Sequence, residues 1–306
     1  MEGLIVKSAG SWYHVRTNTG QIVRCRLPGK FRLHEEKLTN PVVVGDRITV
    51  SMQSDDTGTI EKIHERKNEL PRKATHGKKG VQIIASNIEQ VVIVQSCKKP
   101  EFKTGFIDRI LVSCEAYDIS PLIILNKSDL VKNDKEVEKV TNAQKRYQNL
   151  GYQLQLTSYH DPETIQLLEK KLDGKVSVMT GPSGTGKSTL LNSIRPQLQL
   201  KTNEISRSSN KGKHTTTLAE LFEIKEDTFV IDTPGIREFG LVNIESYELA
   251  LFFPEMRQYR NQCHYYNCTH RHEPDCAVKK ALEEEHISQP RYKSYLNILE
   301  SIEQNS

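Results

Sequence analysis

Eight residues, Gly181-Pro182-Ser183-Gly184-Thr185-Gly186-Lys187-Ser188, carry the spacing G-x-x-x-x-G-K-S of a Walker A phosphate loop. Glycines let successive backbone N–H groups turn inward on phosphate oxygens, at the positive end of a helix. Lys187 is expected to reach the β- and γ-phosphates and the Ser188 hydroxyl to ligate Mg²⁺. Thr189 opens the helix that follows and belongs to the same nucleotide-binding set. The apolar run Val176–Met179 before the loop reads as a buried strand, which is the context the motif needs.

Asn126-Lys127-Ser128-Asp129 follows the apolar run Pro121–Leu125 and matches N-K-x-D. A carboxylate at Asp129 can accept from both N1–H and the exocyclic amine of guanine, and adenine would leave that acceptor unpaired. Asn126 and the stem of Lys127 would buttress the loop and cover the base. Asp232-Thr233-Pro234-Gly235, again after an apolar strand, matches D-x-x-G. Its aspartate is expected near Mg²⁺, and the Gly235 N–H near the γ-phosphate. Between these lies Gly212-Lys213-His214-Thr215-Thr216-Thr217 in the place of a first switch, with Thr216 favoured as the second Mg²⁺ ligand. Position 236, just after D-x-x-G, is an isoleucine that cannot orient water. His214 can donate, accept and titrate near neutral pH, so it is the candidate catalytic group beside Lys187. Thr157-Ser158-Tyr159 would be the remaining base-side loop, its backbone reaching the guanine O6.

A second constellation is Cys263-x₄-Cys268-x-His270-x₅-Cys276. Three thiolates and one imidazole suit a closed, structural Zn²⁺ site, with His264 and His272 as alternatives for the imidazole. Cys25, Cys97 and Cys114 are scattered and read as buried thiols.

The 306 residues bearing these motifs are enough for two or three domains. A net charge of +4 singles out no partner. No apolar run is long enough to span a bilayer, and the start lacks a signal-peptide pattern, so a cytoplasmic protein without membrane contact is expected. Residues 1–68 contain five short, partly alternating runs, which suggests a small barrel of the OB-fold kind. Trp12, Tyr13, Arg16, Arg24, Arg26 and Arg32 could bind nucleic acid on one face, or could be core aromatics and solvated charges. Arg66–Gly80, with six Lys/Arg and no periodicity, reads as a basic linker or mobile loop, its charges solvated or in contact with phosphates. From 81 to 243, apolar strands alternate with helical patterns, which argues a mostly parallel sheet covered on both faces. Asp161-Pro162 reads as a helix N-cap and first residue, and Gly151 as a C-cap. Residues 244–306 look helical around the Cys/His cluster.

The order of the motifs is unusual. Common GTPases run phosphate loop, switch threonine, D-x-x-G, N-K-x-D, whereas here Asn126 precedes Gly181. All parts are present but cyclically rotated, which a compact fold tolerates when its original ends are close. The second switch then leads straight into the C-terminal region. Rotated NKSD, GPSGTGKS, KGKHTTT and DTPG, followed by C-x₄-C-x-H-x₅-C, resemble the RsgA (YjeQ) family of circularly permuted GTPases along nearly the whole chain. The resemblance implies an α/β protein with an OB-fold barrel first, a permuted P-loop GTPase domain, and a helical zinc domain last. It also implies a GTP hydrolase that binds the small ribosomal subunit and its rRNA, assists late maturation, and turns over faster when bound. His214 is implicated by the resemblance as well. Thr157-Ser158 departs from the Ser-Ala usual in such loops. A monomer working between GTP and GDP is expected. The rival readings are an ATPase or nucleotide kinase, against which NKSD speaks, and an RNA-binding module gated by nucleotide with negligible turnover.

Overall fold

The computed structural model of this chain describes residues 1–29, 31, 41–54, 56–73, 81–200, 219–232, 241–242 and 244–304. Arg32, His214, Thr216 and Gly235 lie outside the described residues.

Five strands open the chain: β1 (Glu2–Ala9), β2 (Trp12–Thr17), β3 (Ile22–Arg26), β4 (Arg47–Ser54) and β5 (Thr57–Ile63). Their alternation drives closure. Ile5, Val15, Val23, Cys25, Ile48, Val50 and Ile60 point into one core, while residues 22, 24 and 26 face outward. β1 pairs with both β2 and β4, β2 with β3, and β3 runs parallel to β5, which pairs with β4. This is the expected five-stranded barrel.

The expected linker is ordered over its first half. β6 (Glu69–Lys73) pairs with β7 (Val81–Ser86). Arg66 donates from Nε and Nη2 to the buried carboxylate of Asp46, at 2.7 and 2.8 Å, and from Nη1 to Glu69. Burial opposes the Arg66 charge, but Asp46 and Glu69 hold its pKa above the ordinary value. The basic residues that suggested a solvated tether therefore include one that clamps the barrel to the next domain. Residues 74–80 lie outside the described residues.

Beyond the hairpin come β8 (Gln90–Ser96), α1 (Thr104–Ala116), β9 (Ser120–Asn126), α2 (Asp134–Asn149), β10 (Gln153–Leu156), α3 (Pro162–Leu172), β11 (Val176–Thr180), α4 (Lys187–Ile194), β12 (Glu220–Lys225) and β13 (Thr228–Asp232). The sheet order is β10-β9-β8-β11-β13-β12, parallel except for β12. Along β8 the side chains alternate between two cores. Val91 and Ile93 meet α1 and α2, whereas Val92 and Val94 meet α3 and α4. Asp161 caps α3 by accepting from the Glu163 N–H, with Pro162 as first helical residue, and Ile165, Leu168 and Leu172 are buried. Gly151 takes a left-handed turn just after α2. From β8 the chain winds outward to β9 and β10, then returns to the other side of β8 as β11. The carboxyl ends of β8, β9 and β11 thus flank a topological switch point, where α/β sheets bind ligands.

The barrel continues this sheet. β1 pairs with β12 at Lys7 and Glu220, and ion pairs Lys7–Glu220 and Arg16–Glu223 reinforce the junction. At the other end of the chain, a 3₁₀ segment (Ser246–Phe252), α5 (Pro254–Arg260), α6 (Ala277–Glu283) and α7 (Gln289–Glu303) share a separate core. Val112 of α1 belongs to that core, so α1 is covered on two sides, by the sheet and by the C-terminal helices.

Candidate functional site

The phosphate loop leaves β11 beside β8 and ends in α4. Gly181, Gly184 and Gly186 have φ of 155°, 81° and 95°. A Cβ on Gly181 would lie 2.0 Å from the Val94 carbonyl oxygen, and one on Gly186 would lie 2.3 Å from Asn126 Nδ2. Those two positions therefore admit only glycine. Gly186 stands at the N-cap of α4 with no side chain capping it, which leaves the first-turn N–H groups facing the loop. Thr185 is buried and donates to the Pro182 carbonyl at 3.0 Å. Lys187 Nζ folds back to donate to the carbonyls of Gly181 and Pro182, at 2.7 and 3.0 Å. Ser188 and Thr189 sit half-buried in the first turn of α4.

The N-K-S-D segment is joined to that loop. Asn126, buried at the end of β9, donates from Nδ2 to the Thr185 carbonyl at 2.9 Å. Lys127 is in the left-handed region, and its ammonium donates to the carbonyls of Gly184 and Lys99, both at 2.6 Å. Burial lowers the Lys127 pKa, and Asp129 partly restores it. Ser128 donates from its N–H and hydroxyl to the Thr157 carbonyl. Asp129 remains exposed, with Oδ1 accepting from the Ser158 hydroxyl at 2.6 Å.

Sequence reasoning gave the loop after β10 only a backbone role. In the structure the Thr157 and Ser158 hydroxyls brace the N-K-S-D segment: Thr157 Oγ1 donates to Asn126 Oδ1 at 3.1 Å, and Ser158 to Asp129. The only sequence signal is two adjacent hydroxyl residues after a strand. Lys99, missed entirely, contributes a carbonyl from the loop leading into α1.

β13 brings Asp232 level with Met179 at the end of β11, one strand from the phosphate loop. Residues 233–240 lie outside the described residues, as do 201–218 with the expected first switch.

In the C-terminal region, Cys263, Cys268, His270 and Cys276 each offer a ligand atom, all within 4.8 Å of one another. Cys263 Sγ is 3.9 Å from Cys276 Sγ and 3.6 Å from His270 Nδ1, and His270 Nδ1 is 3.3 Å from Cys276 Sγ. His264 and His272 are both exposed and outside the cluster, so His270 is its imidazole. Burial pushes the His270 pKa down to about 4, which keeps the ring neutral and able to ligate. Glu273 accepts from the N–H groups of Thr269, Arg271 and His272 and from the Thr269 hydroxyl, and Tyr292 donates to the His270 carbonyl. The ligand loop is therefore held from outside the cluster as well.

The six barrel residues suspected of binding nucleic acid separate. Tyr13 is core, and Arg16 is spent on Glu223 and the Phe229 ring. Arg24 and Arg26 are exposed and lie 5.4 and 4.2 Å from the ring centre of Trp12. No carboxylate pairs with either among the described residues.

Comparison with known proteins spans the chain. The family described as RsgA N-terminal domain matches residues 2–60, and that described as RsgA GTPase matches residues 63–242. A small ribosomal subunit biogenesis GTPase RsgA from Flavobacterium johnsoniae is 44% identical over 308 residues, covering 100% of this chain and 94% of the relative. One from Christiangramia forsetii is 43% identical, covering 100% and 98%. Among solved structures, YjeQ from Thermotoga maritima superposes with a TM-score of 0.80 at 32% identity, covering 98% of this chain and 97% of that one. YloQ, described as a circularly permuted GTPase, gives 0.76 at 31% identity, covering 100% and 96%. With both family segments matched and such identity sustained from end to end, the chain belongs to the RsgA family of GTPases.

Proposed function

We propose that this protein is a GTP hydrolase that binds the small ribosomal subunit and assists its late maturation, with turnover stimulated by the subunit. The observation that carries the reading is the double bridge between base-side and phosphate-side loops. Asn126 bonds Thr185 and Lys127 bonds Gly184, so one site can hold a base at Asp129 and phosphates at Gly181–Ser188. Asp129, exposed and braced by Ser158, is the acceptor for guanine N1–H and the 2-amine. Lys187 supplies positive charge at the γ-phosphate once phosphate oxygens replace its loop carbonyls. Mg²⁺, when bound with GTP, neutralises charge on the β- and γ-oxygens. Ser188 and Thr216 would hold it, with Asp232 nearby. His214 orients the attacking water, because Ile236 cannot.

The Cys263, Cys268, His270 and Cys276 set suits one structural Zn²⁺. Tetrahedral bonds of about 2.3 Å to sulfur and about 2.0–2.1 Å to nitrogen give edges of about 3.8 Å and about 3.5 Å. The separations of 3.9, 3.6 and 3.3 Å among Cys263, His270 and Cys276 lie near these edges, and Cys268 Sγ is within 4.8 Å of the other three ligand atoms. Trp12, Arg24 and Arg26 fit rRNA, with cations for phosphate and an aromatic face for an unpaired base. No helix among the described residues is long and apolar enough to cross a membrane. The protein acts as a cytoplasmic monomer in this reading.

Phosphate release with and without small subunits tests the proposal, using wild type and His214→Ala. Wild type is expected to accelerate on subunits, and His214→Ala to bind GTP but lose the acceleration. Nucleotide-dependent subunit binding with no acceleration would make the protein a gated RNA-binding module instead.

A further inference from the structure

We infer that Arg291, in the C-terminal helices, is a positioning residue of the guanine-nucleotide site, acting through α1 and the Lys99 carbonyl on Lys127. This rests on reading Asn126–Asp129 as the base pocket.

Arg291 is 1% exposed. Its Nη1 donates to Asp108 of α1 at 2.6 Å, while Nε and Nη2 donate to Glu255 of α5 at 2.6 and 3.2 Å. Tyr147 of α2 donates to the same Asp108 oxygen at 2.9 Å, and the guanidinium lies 4.5 Å from the Phe253 ring centre. Burial opposes the charge, but Asp108 and Glu255 hold the Arg291 pKa above its ordinary value. Such a buried set is weak evidence for stability, because apolar residues of similar volume often serve as well. A forked guanidinium gripping carboxylates on two helices does restrict geometry, since it accepts one relative position of α1 and α5. Lesser contacts run along the same face: Arg109 to Ser301, Arg257 to Glu115, and Tyr117 to the Val242 carbonyl.

The other end of α1 reaches the nucleotide site. The loop from β8 to α1 is anchored by Phe102 in the sheet-side core and by the Lys103 N–H on Gln95. At Lys99 its carbonyl takes the Lys127 ammonium, which holds Gly184 of the phosphate loop with another hydrogen. Clamping α1 at Asp108 therefore fixes where the Lys99 carbonyl stands, and with it the lysine that bridges base and phosphate loops. This contact lies on the base side and the loop turn, which GDP and GTP share. A shift of α1 must then change both affinities by one factor. By linkage, a partner that moves the C-terminal helices on α1 changes nucleotide affinity without regard to the γ-phosphate.

The test uses the full-length, metal-loaded protein with fluorescent GDP and a non-hydrolysable GTP analogue. In Asp108→Asn/Glu255→Gln/Arg291→Met no buried charge is left uncompensated. Affinity is expected to fall about tenfold for both nucleotides, the equivalent of one hydrogen bond to a charged group, with their ratio unchanged. Arg291→Lys, charged but unable to fork, should lose part of that. Val278→Ala is the control. Val278 is buried on α6, which packs on α5, so the variant lowers the unfolding temperature of the same region and should keep wild-type affinity. Unchanged affinity in the folded triple variant, an equal loss in Val278→Ala, or a loss confined to the GTP analogue each overturns the inference. If the triple variant does not fold, Arg291→Lys decides alone, wild-type affinity rejecting the role. Asp129→Asn separates the two readings: intact guanine-nucleotide binding there would reject the base pocket itself, whatever Arg291 does.

Discussion

Gly184 and Gly186 both have positive φ, at 81° and 95°, but an added methyl group meets different surroundings at each. At Gly184 the nearest atom would be Pro100 Cδ, at 3.6 Å, which is ordinary contact. Gly184→Ala therefore carries only the left-handed backbone cost, about 1–2 kcal/mol. At Gly186 the methyl would lie 2.3 Å from Asn126 Nδ2. That amide cannot swing away freely: it donates to the Thr185 carbonyl at 2.9 Å and accepts from Thr157 at 3.1 Å. Displacing it leaves a buried partner unsatisfied, about 1–3 kcal/mol more. Gly186→Ala should then bind GDP and GTP more weakly than Gly184→Ala by about fivefold to about a hundredfold. Fluorescent-nucleotide titration measures both. The mechanism also demands non-additivity, because Asn126→Ala removes the clashing atom. In the Asn126→Ala background, Gly186→Ala should add no more than the backbone cost. Equal affinities for the two alanine variants, or full additivity with Asn126→Ala, would refute the argument that Gly186 makes room for Asn126.

Removing the Ser158 hydroxyl deprives the Asp129 carboxylate of its donor at 2.6 Å; Asp129 is exposed, so Ser158→Ala should cost about 1.5 kcal/mol, or about tenfold in GDP and GTP affinity, and calorimetric titration showing no loss would reject the bracing role. Chelation at neutral pH should expose three thiols to a disulfide reagent, those of Cys263, Cys268 and Cys276, while Cys25, Cys97 and Cys114 stay closed; burial pushes the first two of these up to about 11 and Cys114 higher. A count of none or of six after chelation contradicts this. The Lys98 ammonium and the Lys132 N–H hold the Glu136 carboxyl at about 2, below its ordinary 4.5. A depressed carboxyl contributes stability above the unfolded pKa and loses it as pH falls through the folded one, so the urea-unfolding gap between wild type and Glu136→Gln should be constant above about pH 5.5 and close between about 4.5 and 2. A gap that widens on acidification has the wrong sign.

Features legible in the sequence share one property: their partners are close in the chain or their chemistry demands fixed spacing. Alternation along β2 and β3, the Asp161-Pro162 start of α3 and the G-x-x-x-x-G-K-S loop are of this kind. Arg66 and Glu69 were misread because their charges look solvated until Asp46, twenty residues away, is folded against them. Local composition around Glu69–Lys73 holds one deeply buried aliphatic side chain, Leu70, too little for a strand pattern. Asp108 and Arg291 are 183 residues apart, and each alone looks like an ordinary surface charge on a helix. Helix α1 hid its role for the same reason: two of its sides are covered, so no single apolar stripe reports where the C-terminal helices pack.

The cyclic rotation of the motifs has a structural consequence that the sheet order explains. Strands β11 and β13 lead into the G-x-x-x-x-G-K-S and D-x-x-G motifs, and β9 and β10 into N-K-S-D and the Thr157-Ser158 loop, with β8 and β11 adjacent. Joining β10 to β11 through α3 leaves the sheet pairing intact while moving the free ends. One end now enters before β8, through the β6–β7 hairpin and the Asp46–Arg66 clamp from the barrel. The other leaves after Asp232, beside the phosphate loop. The C-terminal helices thus follow in the chain from the strand beside the G-x-x-x-x-G-K-S loop, yet they rest on α1, whose leading loop accepts from Lys127 through the Lys99 carbonyl. The barrel is likewise connected twice, at Arg66 and at the β1–β12 junction with Arg16 on Glu223. A domain fastened at one covalent point could turn freely, whereas a second contact removes that freedom. Rotation thus leaves the barrel and the C-terminal helices as extensions of the central sheet rather than tethered appendages, the one joined to β12 and the other seated on α1.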